Sequence, residues 1–84
     1  MSAGSEEKHG FGHVLPYLGK IQAVTRRCQQ RLGRPYHFST RSIPQNVIDA
    51  LVRERLAVET GVVGFYKKIP CYTLTQAGEN HAVR

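Results

Sequence analysis

No apolar run in this chain approaches the roughly 20 residues that a bilayer-spanning helix needs, and the opening stretch MSAGSEEKHGFGH carries Glu6 and Glu7 where a signal peptide would carry an apolar core. A membrane partner is therefore not expected; residues 1–12 read as a flexible tail, and the setting expected is cytoplasmic. Catalytic signatures are equally scarce. The chain has no Gly-rich phosphate loop, no HExxH, no CxxC and no pair of carboxylates at a catalytic spacing. The four histidines, His9, His13, His37 and His81, are scattered, and Gly10 and Gly12 keep His9 and His13 from sharing a stable helical turn. No metal, no cofactor and no enzymatic activity are expected. Only two cysteines are present, Cys28 and Cys71. Two thiols without metal-binding spacing read as small packed residues in the reduced state.

What the chain does have is positive charge. Twelve Lys and Arg stand against six Asp and Glu, a net of +6 over 84 residues. Residues 1–12 hold Glu6, Glu7 and Lys8, a net of −1, so the remainder carries +6 − (−1) = +7. A basic body of this size attracts polyanions, nucleic acid first among them; a solvated surface without a partner is the plainer alternative. The length allows one small domain, expected over residues 13–80 with a short tail at 81–84.

The stretch HVLPYLGKIQAVTRRCQQRLG spaces Val14, Leu15, Leu18, Ile21, Val24 or Thr25, Cys28 and Leu32 three or four apart, the stripe of an amphipathic helix of about five turns. Pro16 fits only its first turn, and Gly33 before Arg34 and Pro35 stops it. Gly19 is a weak point inside it. Lys20, Arg26, Arg27, Gln30 and Arg31 lie away from the stripe, as a solvated face or a phosphate-facing flank. PYHFSTRS then alternates aromatic and polar residues like a short strand, or forms a turn, with Thr40 and Ser42 as candidate caps.

In SIPQNVIDALVRERLAV a second stripe, Ile43, Val47, Ile48, Leu51, Val52 and Leu56, predicts a helix of about twelve residues with Pro44 in its first turn. Its other face offers Gln45, Asn46, Asp49 and Arg53. Asn and Gln match adenine edges and Arg grips guanine with two parallel bonds, which is chemistry a major groove can use. Asp49 fits as an acceptor from cytosine N4, or else as a surface charge that repels phosphate. AVETGVVGFYKKIPCYTLT reads as two antiparallel strands. The first strand either stops at Thr60 or runs on to Tyr66; in both cases Lys67 and Lys68 sit near the tip. Tyr72 and Leu74 share the core side, and Thr75 caps a last helical turn.

This order of elements, with ALVRERLAV closing the second helix and YTLTQAG following a glycine-bearing basic loop, resembles winged helix-turn-helix proteins, especially small repressors of the MarR and PadR type. The resemblance covers residues 43–78 and implies an α+β winged helix: a long first helix, a short connecting strand or turn, a recognition helix over residues 44–55 and a two-stranded wing. Two departures stand out. Arg55 occupies the place where such proteins commonly have glycine, and residues 34–43 leave room for little more than a turn where a second helix belongs. The function implied is double-stranded DNA binding by a transcriptional regulator of repressor type, acting as a homodimer. Gln45, Asn46 and Arg53 would read bases, while Arg41, Lys67 and Lys68 would hold phosphates. The alternative is a winged-helix module that grips a protein, as adaptor or inhibitor of a larger nucleic-acid machine; Asp49 and Glu54 favour it, and the charge balance favours DNA.

Overall fold

Backbone hydrogen bonding in the computed structural model, which describes residues 11–63 and 69–83, yields an α+β arrangement of three helices and a two-stranded antiparallel sheet. Helix α1 spans Leu15–Leu32, α2 Gln45–Arg53 and α3 Gln76–Asn80; strands β1 (Ala57–Val63) and β2 (Pro70–Leu74) lie between α2 and α3.

Helix α1 begins and ends where its residues dictate. Pro16 sits in the first turn, where a missing N–H costs nothing. Gly33 adopts φ 67° and donates its N–H to Gln29 O at 3.0 Å, a left-handed stop. Val14, Leu18 and Ile21 are buried as the spacing requires, but the stripe fails at its end: Leu32 is 61% exposed. Gln22, a polar residue outside the stripe, is buried instead. Its Nε2 donates to Gly78 O and His81 O, both at 2.9 Å, so the amide satisfies carbonyls at the end of α3 that would otherwise be orphaned. Gly19 has a packing reason, because a Cβ there would press on Val83. Phe11 and Val83 pack against the core, and Phe11 meets His81 edge to face at 5.4 Å, so packing extends beyond residues 13–80 at both ends.

Between α1 and α2 both alternatives for PYHFSTRS are realised in part. Phe38 exchanges backbone hydrogen bonds with Tyr72 (2.8 and 2.7 Å), which places one residue of a third strand beside β2, and a turn follows at residues 40–42. The turn is organised by Ser39, whose carbonyl accepts from Ser42 and Ile43 and whose Oγ accepts from the Arg41 N–H. Neither Thr40 nor Ser42 caps α2. Pro44, with ψ 147°, holds the cap position without a side-chain bond, so it lies just outside the helix rather than in its first turn.

Helix α2 has nine residues, not about twelve, because it is closed early. The Leu56 N–H reaches Leu51 O (2.8 Å) and the Arg55 N–H reaches Val52 O (3.0 Å), a Schellman closure in which Arg55 takes the left-handed position at φ 62°. Val47, Ile48, Ala50 and Leu51 form its buried face; Val52, expected inside, is 40% exposed and Ala50 takes its place.

Strand β1 runs past Thr60 to Val63. Ala57, Val58 and Glu59 pair with Leu74, Thr73 and Tyr72, and the register then shifts by two residues before Val63 meets Pro70. Gly61 lies in the shifted segment at φ 83°, a conformation suited to glycine. Leu74 is buried and Tyr72 half-buried against the core, as their shared face requires. Thr75 caps α3 by accepting from the Gly78 N–H (3.1 Å) and donating to Arg55 O (2.8 Å), which ties the end of β2 to the end of α2.

Candidate nucleic-acid interface

The cations expected to face a polyanion divide between two helices with different surroundings. On α2, Gln45, Asn46 and Arg53 are all exposed, but Asp49 stands among them, and Gln45 Nε2 donates to Asp49 Oδ1 at 2.9 Å. This bond between residues four apart occupies one of the two amide hydrogens with which Gln45 would meet a base. Asn46 and Arg53 make no such bond among the described residues. The exposed charges from Asp49 to Arg55 also cancel: Asp49 and Glu54 against Arg53 and Arg55.

Helix α1 is different. From residue 8 to residue 48 the chain contains no Asp or Glu, against Lys8, Lys20, Arg26, Arg27, Arg31, Arg34 and Arg41. Within α1 the exposed Lys20, Arg27 and Arg31 fall at i, i+7 and i+11. At 3.6 residues per turn these positions share an arc of about 40° and extend over roughly 16 Å of helix. Arg26 is exposed on another face. The positive stripe is therefore a property of α1, and the signal that reveals it is the acid-free interval rather than the number of cations.

A notch of ≈ 180 Å³ connects this stripe to the start of α2, lined by Lys20, Ile21, Val24, Tyr36, Ser42 and Ile43. Ile21 and Ile43 belong to the buried core, Val24 and Tyr36 are half-buried, and Lys20 and Ser42 are exposed at the rim. Tyr36 leans on Phe38 with ring centroids 6.2 Å apart, and Phe38 stacks on Tyr72 at the same separation, so the notch wall is braced by an aromatic series rooted in β2. Arg41 is exposed in the turn beside Ser42.

Lys67 and Lys68 lie outside the described residues, as do Phe65 and Tyr66. Cys28 and Cys71 are both free and half-buried. Among the described residues no three His, Cys, Asp or Glu side chains gather as metal ligands, and no helix is long and apolar enough to cross a membrane. Comparison with protein-family models, curated proteins and solved structures finds no match to this chain.

Proposed function

We propose that this chain is a winged-helix domain that binds double-stranded DNA without catalysis and acts as a transcriptional regulator of repressor type. The observation that carries the reading is the cationic stripe Lys20, Arg27 and Arg31, which the notch connects to the entry of α2. Phosphates lie along α1 and at Arg41, and the exposed Asn46 and Arg53 of α2 reach base edges. The arrangement adds the long helix to Arg41, Lys67 and Lys68 as a place for phosphate contact. Gln45 reads bases with one amide hydrogen already held by Asp49, which makes it the weakest of the three expected readers.

A homodimer, which would match two half-sites one helical turn apart, has a restricted place to form. Val14, Leu18 and Ile21 are already buried within one chain, so a second copy would meet α1 near its C-terminal end, at the exposed Leu32. The protein-binding alternative draws on another surface: Val52 and Val58 are exposed apolar side chains in the part of the chain that also holds Asp49, Glu54 and Glu59.

Selection of a preferred duplex from a randomised pool, followed by titration of Asn46→Ala and Arg53→Ala, tests base reading by α2. Each substitution is expected to cost about 1–3 kcal/mol on the preferred duplex and much less on random duplex. Equal losses on both would remove base reading from α2, and failure of the pool to yield any preference would favour the protein-binding alternative.

A further inference from the structure

The notch has a composition that fully paired DNA does not use. Its floor is apolar (Ile21, Val24, Ile43), one wall is an aromatic ring (Tyr36), and its rim offers an ammonium (Lys20) and a hydroxyl (Ser42). An apolar cavity of about 150 Å³ is known to admit one benzene ring, so ≈ 180 Å³ accommodates a single planar ring. The charge around it selects which ring. Lys20 lines the notch, while Arg27 and Arg31 continue the same helical row. A strand whose phosphates follow Lys20, Arg27 and Arg31 therefore passes the mouth of the notch.

We infer that the notch receives one unpaired nucleobase, stacked on Tyr36, from a nucleic acid whose backbone lies along the α1 stripe. Bases in a continuous duplex are stacked on one another and do not enter; a bulge or a junction with single strand supplies a base already free, without the cost of extrusion. Stacking on an aromatic ring tolerates any base identity, because every base presents a π-face. Lys20 compensates a phosphate adjacent to the bound base, and Ser42 supplies a donor and an acceptor for a base edge. The inference rests on the stripe holding phosphate, as in the proposed function, and is independent of base reading by α2.

The test uses the full chain and two matched probes, a fully paired duplex and the same duplex with one bulged 2-aminopurine, each made as DNA and as RNA. Wild type is expected to bind the bulged probe about tenfold more tightly than the paired one and to quench its fluorescence, the size of one base–aromatic stack. Tyr36→Leu removes the ring while keeping apolar volume, and Ser42→Phe fills the notch from its exposed rim, which guards against a folding defect of the first variant. Both are expected to erase the preference for the bulge and leave paired-duplex affinity unchanged. A preference in the DNA or the RNA pair supports the inference and identifies the strand; equal binding of bulged and paired probes by wild type in both, or a preference that survives Ser42→Phe, overturns it. Lys20→Ala/Arg27→Ala/Arg31→Ala separates the two levels: loss of affinity for both probes supports the stripe, whereas undiminished affinity for both overturns the stripe and the inference together.

Discussion

Arg55 shows how a single residue carries both a structural duty and its cost. An L-residue at φ 62° is held against a steric penalty of roughly 1–2 kcal/mol, and the penalty is sustained because the closure of α2 buries Leu51 and Leu56 and because Thr75 fixes the Arg55 carbonyl. Glycine in its place removes the strain but adds freedom to the unfolded chain, an offset of about 0.4–1 kcal/mol. Arg55→Gly is therefore expected to stabilise the domain by about 1 kcal/mol, measured as a higher urea midpoint with an unchanged slope; a lower midpoint would mean that the arginine side chain makes a contact worth more than the strain. Gln22 is the converse case. Replacing it by Leu leaves the Gly78 and His81 carbonyls without their donor, and the loss expected is about 2 kcal/mol in the same denaturation. Sequence reasoning identifies the glycine-like position at Arg55 because the motif marks it, but not Gln22, since one amide on a polar-looking helix position carries no sign of a partner more than fifty residues away.

Among the elements, helix existence was legible throughout and helix ends were legible only where a residue imposes them locally. Gly33 stops α1 and Thr75 starts α3, each through its own backbone or hydroxyl. The end of α2 is a backbone closure at Arg55, an arginine rather than a glycine in the left-handed position, with its carbonyl held by Thr75, so periodicity that runs on to Leu56 overestimates the helix length. The same distinction explains Val52 and Ala50: both fit a helical stripe, and only the position of β1 and the core decides which is covered. Gly78 makes the packing of α3 exacting, because a Cβ there would overlap the Leu56 carbonyl that accepts from Thr75. Gly78→Ala is expected to cost about 3 kcal/mol, with amides of α3 and of residues 81–83 exchanging hydrogen faster before those of α1. Uniform acceleration across the domain would show that α3 and α1 open as one unit.

At the scale of the whole molecule the distribution of charge matters more than its sum. The acid-free interval from residue 8 to residue 48 makes α1 and the turn at Arg41 uniformly basic, while the exposed charges from Asp49 to Arg55 on α2 and its closure cancel. The candidate base readers were legible as residues on a polar helix face, but the Gln45–Asp49 bond and the notch at Tyr36 require coordinates to find. The most direct test of the account is the salt dependence of duplex DNA binding by wild type and by Lys20→Ala/Arg27→Ala/Arg31→Ala. Each phosphate contact contributes about 0.9 to the slope of log K against log salt concentration, so the triple variant is expected to bind more weakly at low salt with a slope shallower by about 2.7. An unchanged slope, or no binding of duplex by wild type at low salt, would contradict it.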